Sequence, residues 1–211
     1  MIGNTQIIGL TGGSGSGKGY IAGLFAKHFG VDSIDTDALY HDMTSASGGA
    51  LAPRDDILMS ELAAEFGDGV IAPDGSLDRA ALGSVVYSSP DKLKRLNGIT
   101  HPRIWLGTEK WLKKQSEAGA RYAIIDAPLL YESRFNVYCD HVIGVIADTP
   151  LRVRRIVARD GISEEAALRR ISHQPNNKFF KDICDFTIVN DDEHPNPELQ
   201  IGIIMQKMQI M

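Results

Sequence analysis

Residues 6–18 read Gln6-Ile7-Ile8-Gly9-Leu10-Thr11-Gly12-Gly13-Ser14-Gly15-Ser16-Gly17-Lys18, a short apolar run that leads into a glycine-rich turn ending on lysine. A turn without Cβ atoms lets successive backbone N–H groups converge on an anion. Gly12, four intervening residues, Gly17 and Lys18 have the spacing of a phosphate-binding loop. Lys18 then reaches the outer phosphates. The residues that follow predict a helix, because Ile21, Leu24, Phe25 and Phe29 fall at i, i+3, i+4 and i+8 and form one apolar stripe. The positive end of that helix faces the loop. Strand, loop and helix in this order separate the stretch from an ordinary glycine linker. One position departs: the motif places Ser or Thr directly after the lysine, where the hydroxyl reaches Mg²⁺, and here Gly19 is followed by Tyr20.

The remaining composition narrows the setting. A chain of 211 residues predicts a single domain with excursions. With 43% hydrophobic and 23% charged residues, an ordinary packed core is expected. A formal net charge of -5 argues against nonspecific nucleic-acid binding. The N-terminal stretch has no basic leader and no apolar run longer than a strand, so the expectation is a cytoplasmic protein without a membrane partner. Cys139 and Cys184 lack metal-ligand spacing and read as two reduced, partly buried thiols.

Along the chain, residues 31–35 predict a strand that ends at Asp35-Thr36-Asp37, just before a helical segment. Two readings of those carboxylates stand side by side. One is helix capping, for which Asp and Thr are suited. The other is a carboxylate at the edge of an α/β sheet that accepts a proton from a substrate hydroxyl, with Asp37 the candidate. Residues 55–111 show helical periodicity broken by glycines and prolines, with Asp78 placed to cap one helix. One helix is expected over 90–97 and another over 105–114, with residues 99–103 as the interruption. There His101 before Pro102 reads as helix-boundary punctuation or as a site residue.

Residues 121–126 predict a buried strand ending on Asp126, which is placed to hold Mg²⁺ directly or through water. A further strand over 141–147 precedes Asp148, Thr149 and Pro150, a cap and first turn. Then come six arginines, Arg152, Arg154, Arg155, Arg159, Arg169 and Arg170. They fit a solvated helix face, or a lid whose guanidinium groups reach phosphate, with Arg159 best placed. Ser163 should cap the second lid helix, and residues 174–177 should end it. Residues 186–189 predict the last strand. Ile201, Ile204, Met205 and Met208 give the final helix an apolar stripe at i, i+3, i+4 and i+7.

Taken together, residues 8–18 (IGLTGGSGSGK), 34–37 (IDTD), 74–82 (DGSLDRAAL), 96–102 (LNGITHP), 126–132 (DAPLLYE), 159–162 (RDGI) and 185–190 (DFTIVN) resemble the dephospho-CoA kinases, the family that performs the last step of coenzyme A synthesis. The resemblance covers nearly the whole chain. It implies an α/β P-loop NTPase fold, with a parallel β-sheet flanked by helices, a helical substrate-binding excursion at about 38–115 and an arginine-rich lid at about 152–180. It implies transfer of the γ-phosphate of ATP, with Mg²⁺, to the ribose 3′-hydroxyl of the small-molecule partner dephospho-CoA. Asp37 would be the base, and Lys18 and Arg159 would stabilise the transferring group. Gly13, Ser14, Gly15, Ser16, Gly17, Lys18, Gly19 and Tyr20 would bind nucleotide. His101, Arg103 and Leu130 would contact substrate, Asp126 would hold the metal, and Lys178 matches a lid lysine. Two alternatives remain open: a nucleotide- or CoA-binding homologue weakened or silenced by Gly19, and a kinase for another small acceptor such as a nucleoside.

Overall fold

The strand predicted before the phosphate loop is the centre of the sheet. In the computed structural model, which describes residues 2–194 and 196–209, β1 (Gln6–Thr11) pairs in parallel with β3 (Tyr122–Asp126) on one side and β4 (His141–Ile146) on the other. Ile8 lies opposite Ile124 on the first side and opposite His141 on the second. β5 (Phe186–Val189) extends the sheet beyond β4, and the short β2 (Ser33–Asp35) extends it beyond β3, giving the order β2-β3-β1-β4-β5. Every residue of β3 and β4 is buried, and apart from the terminal Asp126 and His141 their runs 122–125 and 142–146 are continuously apolar or glycine, as expected of strands covered on both faces.

By its internal packing the chain divides into two compact units. One comprises the described residues up to Ser33 and from Gln115 onward; the other is Ile34–Lys114.

In the first unit, α1 (Lys18–Phe29) and α9 (Pro197–Met208) pack on the sheet. Their buried side chains include Ile21, Leu24 and Phe25 from α1 and Ile201, Ile204, Met205 and Met208 from α9. Each fully buried aliphatic or aromatic side chain contributes roughly 1.5–3 kcal/mol. The α9 stripe is thus as expected. The α1 stripe is shorter than expected, because Phe29 sits in the last turn before Gly30, leans on the Phe25 ring and leaves its other face in solvent. α6 (Thr149–Asp160) and α7 (Glu164–Ser172) share a small core of their own, Val153, Ile156 and Ala167, with Val157, Ile162 and Ile171 packed against it. Ser163 caps α7 by accepting the Ala166 N–H. The segment after Gln174 was expected only to end that helix; it also opens α8 (Asn177–Ile183), for which Asn176 is the N-cap. At seven residues α8 is too short to show a periodic stripe, so only its cap was legible.

The second unit holds α2 (Thr36–Met43), α3 (Asp56–Phe66), α4 (Arg79–Val86) and most of α5 (Pro90–Glu117). Asp55 and Asp78 cap α3 and α4. The expected break at residues 99–103 is absent: α5 runs for 28 residues through Pro102. A proline inside a helix costs about 3 kcal/mol, partly because its ring crowds the carbonyl four residues earlier, here that of Gly98. The buried stripe of Thr100, Ile104, Thr108 and Leu112 offsets this. Both threonine hydroxyls donate to carbonyls of the helix itself, Thr100 to Leu96 and Thr108 to Ile104, so burying them leaves no polar atom without a partner. Among the described residues, no helix is long and apolar enough to cross a membrane.

Candidate active site

The glycines of the phosphate loop are set by space as well as by conformation. Gly15 (φ 78°) and Gly17 (φ 87°) are left-handed, a region that costs other residues roughly 1–2 kcal/mol. A Cβ on Gly15 would lie 2.6 Å from the carbonyl oxygen of Arg152, and one on Gly17 would overlap the side-chain amide of Asn190. The Ser16 N–H donates to Gly13 O at 3.1 Å and closes the turn. Gly17 is the N-cap of α1, so Lys18 is its first residue. The Lys18 ammonium forms an ion pair with Asp126, the carboxylate at the end of β3, and both side chains are largely shielded from water, at 15% and 4% exposed.

α6 clamps the loop from one side. Arg152, Arg155 and Arg159 recur at i, i+3 and i+7 and share a face of that helix. Arg152 is buried; its Nε donates to Ser14 O at 2.9 Å and its Nη2 to the Gln174 side-chain oxygen at 3.0 Å. Burial pulls its pKa below the usual guanidinium value. Arg155 Nη1 is shared among the carbonyls of Gly15, Ser16 and Asn190 at 3.1–3.2 Å. Asn190, directly after β5, donates its side-chain amide to Ser16 O at 2.7 Å. Gln174 receives the Ser14 N–H at 2.9 Å and donates back to the Ser14 hydroxyl at 3.1 Å.

The other arginines of the run face carboxylates at the surface. Arg154 pairs with Asp192 at 2.9 Å and Arg169 with Glu165 at 3.0 Å. Arg159 forks onto both oxygens of Asp160 at 2.6 and 3.0 Å, and Arg170 joins the same carboxylate. Those two guanidinium groups hold the Asp160 carboxyl well below the usual carboxylate range. Lys178 pairs with Asp182 at 2.5 Å. Leu130 is fully buried, with its side chain lying over Gly9.

In the helical unit the two carboxylates at the end of β2 and the start of α2 have separate fates. Asp35 is the N-cap of α2, accepting the N–H groups of Asp37 and Ala38 at 2.8 and 3.0 Å. Asp37, in the first turn of α2, is exposed. His101 is half-buried inside α5, and burial pulls its pKa below the ordinary imidazole value, which favours the neutral ring. Arg103, on the same helix, lies 3.7 Å from Asp55 and 3.5 Å from Glu61. It also lines a cavity of about 490 Å³ with apolar walls that include Met43, Leu51, Leu106 and Trp111, cationic side chains Arg54, Lys110 and Lys114, and the carboxylates of Asp55 and Asp56.

Arg152, Arg155, Gln174 and Asn190 were not singled out from the sequence as loop contacts. For the arginines the signal was the i, i+3, i+7 spacing; for Asn190 it was a polar residue at the end of a parallel strand, the position Asp126 holds on β3. Gln174 gave no local signal, because its partner Ser14 is 160 residues away.

A glycine-rich loop ending on lysine at the carboxyl end of the central strand of a parallel sheet, next to a buried carboxylate, is the arrangement of the P-loop kinase class, which moves a phosphoryl group between two small molecules by positioning and charge. The protein solved as TT1252 from Thermus thermophilus is 27% identical, with a TM-score of 0.77 over 98% of both chains. A shikimate kinase from Acinetobacter baumannii, 13% identical with a TM-score of 0.51 over 100% of this chain and 98% of its own, shares the fold. The dephospho-CoA kinase family profile matches residues 6–196. A dephospho-CoA kinase of Thermobifida fusca is 35% identical over 202 residues, 96% of each chain, and one of Vibrio cholerae is 32% identical over 201 residues, 95% of this chain and 94% of its own. The chain belongs to the dephospho-CoA kinase family.

Proposed function

We propose that this chain transfers the terminal phosphoryl group of ATP to the ribose 3′-hydroxyl of dephospho-CoA, giving CoA and ADP, and that its two units work as one kinase domain with residues 152–180 as the lid. The observation that carries this reading is the loop itself: a lysine-ended phosphate cradle, held by an α6 clamp, in a chain matched to the family from residue 6 to 196. Lys18 and the loop N–H groups stabilise negative charge on the β- and γ-phosphates. Asp37 accepts the proton of the attacking hydroxyl, since Asp35 is committed to the cap of α2. Neutral His101 orients the acceptor by hydrogen bonding without adding charge. Arg159 leaves Asp160 to neutralise the group in transfer. The cavity beside Arg103 combines apolar walls with basic side chains; Arg54 and Arg103 face Asp56 and Asp55 there, so Lys110 and Lys114 are the cations offered to an acceptor that carries both an aliphatic amide arm and a pyrophosphate.

The residues present fit Mg²⁺ held largely by water. Asp126 supplies one buried carboxylate, and the site where a Cβ on Gly19 would project has no atom within 4 Å, which leaves room for a water in place of the hydroxyl. Among the described residues, no group of three or more His, Cys, Asp or Glu offers a denser ligand set. When bound, the ion would neutralise phosphate oxygens and hold the triphosphate in one conformation.

The test is ATP-dependent formation of CoA from dephospho-CoA, compared with Asp37→Asn and with a panel of nucleosides. Turnover of dephospho-CoA that falls at least ~10²-fold in Asp37→Asn is expected. Equal turnover of nucleosides would replace the acceptor, and binding of ATP without any product would leave a nucleotide-binding homologue.

A further inference from the structure

Gln174 holds the two donors that a phosphate oxygen would take. Arg152 is 3% exposed, and its charge meets no carboxylate among the described residues; its partners are the Ser14 carbonyl and the Gln174 side chain. A buried cation without a counter-ion carries a desolvation penalty that an incoming anion relieves. The Gln174 side-chain oxygen accepts from the Ser14 N–H at 2.9 Å and from Arg152 Nη2 at 3.0 Å, and its amide nitrogen donates to the Ser14 hydroxyl at 3.1 Å. Two donors on the oxygen fix the orientation of the carboxamide, because its nitrogen has no lone pair to offer them. Ser14 belongs to the cradle whose N–H groups converge on an anion, so this neutral oxygen sits where a charged one is meant to be.

We propose that Gln174 is a built-in placeholder for a phosphate oxygen of the nucleoside triphosphate. The terminal phosphates of ATP displace it and take over both the Ser14 N–H and Arg152. A phosphate oxygen is the stronger acceptor for a guanidinium, so the exchange runs toward nucleotide at saturating concentration but weakens its apparent affinity. Room for the displaced side chain exists in a cavity of about 800 Å³ lined by Thr149, Arg152, Gln174, Asn176 and Lys178. Gln174 stands between the end of α7 and the start of α8, so its release reports loop occupancy to the lid helix that precedes it. This inference rests on the kinase reading above and adds to it a residue that gates the triphosphate site.

The experiment is isothermal titration of the full chain with ATP and with AMP, in the absence of acceptor, for the native sequence, Gln174→Ala and Gln174→Glu. Gln174 is only half-buried, so both variants are expected to fold. Removing the placeholder frees two donors, and Gln174→Ala should tighten ATP binding by about 3- to 10-fold. Gln174→Glu puts a charged competitor on Arg152 and should weaken ATP by about 10-fold, recovering in part as salt is raised. AMP, without the outer phosphates, should respond to neither. Weakened ATP binding in both variants would overturn the placeholder and leave Gln174 as a brace for the loop, as would AMP changing in step with ATP. A native chain that makes CoA yet shows no split between the variants removes the placeholder alone. A chain that makes no CoA but shows the split keeps it and removes the kinase reading.

Discussion

On the side of the phosphate loop that meets α6, Gly13, Gly15 and Gly17 have no room for a side chain: added Cβ atoms would run into Arg152, the Arg152 backbone and Asn190. One residue past Lys18, a Cβ on Gly19 would meet nothing within 4 Å. The crowded side is where distant segments converge, with α6, the α7 exit and the end of β5 all bonding to loop atoms. The open side is a plain first turn of helix. A glycine in the first group is a packing requirement, whereas Gly19 is a chemical choice that the packing does not force.

That contrast is tested most severely by Gly17→Ala. The new Cβ meets Asn190 and the backbone is held at φ 87°, so the Asn190 to Ser16 bond and the left-handed N-cap cannot both survive. We expect a stability loss of about 2–3 kcal/mol in urea denaturation. Turnover should drop about 10³-fold as the N–H cradle loses its aim. A variant with native turnover would show that the crowding is not functional.

Arg155→Ala probes the same side without changing a residue of the loop. Three carbonyls lose a charged donor, which should cost about 1.5–3 kcal/mol and lower kcat/KM for ATP by about 10²-fold. Arg155→Lys should recover only part of this, because one ammonium on a flexible stem lacks the planar fork. Equal behaviour of the two variants would reduce the contact to charge alone.

Local pattern announced one side of this contrast and not the other. The strand, the glycine spacing, Lys18 and the apolar stripe of α1 lie within a few residues of one another, so a phosphate loop was legible at once. So were Asp126 at the end of β3 and the capping roles of Asp78 and Ser163, since each depends on its own neighbours; for Asp35, capping is one of two readings that the sequence leaves open. The clamp depends on contacts 138–174 residues apart, and no short-range rule reaches them. On sequence alone the arginines are one run with Arg159 best placed; the i, i+3, i+7 spacing puts Arg152, Arg155 and Arg159 on one face of α6, but which turn of that face meets the loop depends on how α6 leaves β4. The same limit hid the continuity of α5: Pro102 is a local signal to stop, and the burial of Ile104, Thr108 and Leu112 that outweighs it is tertiary.

On the open side the expected effect is a gain. Gly19→Ser adds a side chain that meets no atom at its Cβ and replaces glycine near the start of a helix, worth about 0.5 kcal/mol of stability. Its hydroxyl would join the water around Mg²⁺, and we expect turnover at low Mg²⁺ to rise about 10-fold, with a smaller gain when the ion is saturating. A Gly19→Ser chain that turns over more slowly than the native one at every Mg²⁺ concentration would mean that the open space has a use of its own.

The smallest effect should come from the exposed far end of the arginine run, where Asp160 holds Arg159 and Arg170. The carboxyl is depressed below its usual value, first by the hydrogen bond from Arg159 and then by that from Arg170. A depressed folded-state pKa contributes stability that is fully present above the unfolded carboxyl value near ~4, and that is lost as pH falls through the folded value. The difference in urea midpoint between the native chain and Asp160→Asn should therefore be constant from about pH 5 to 8 and shrink below about pH 4. It should also shrink with added salt, since the group is open to water. A difference as large as that of Arg155→Ala, or one that grows toward acid, would place the Asp160 carboxylate in the structural clamp and erase the distinction between arginines that brace the loop and those that pair with surface carboxylates.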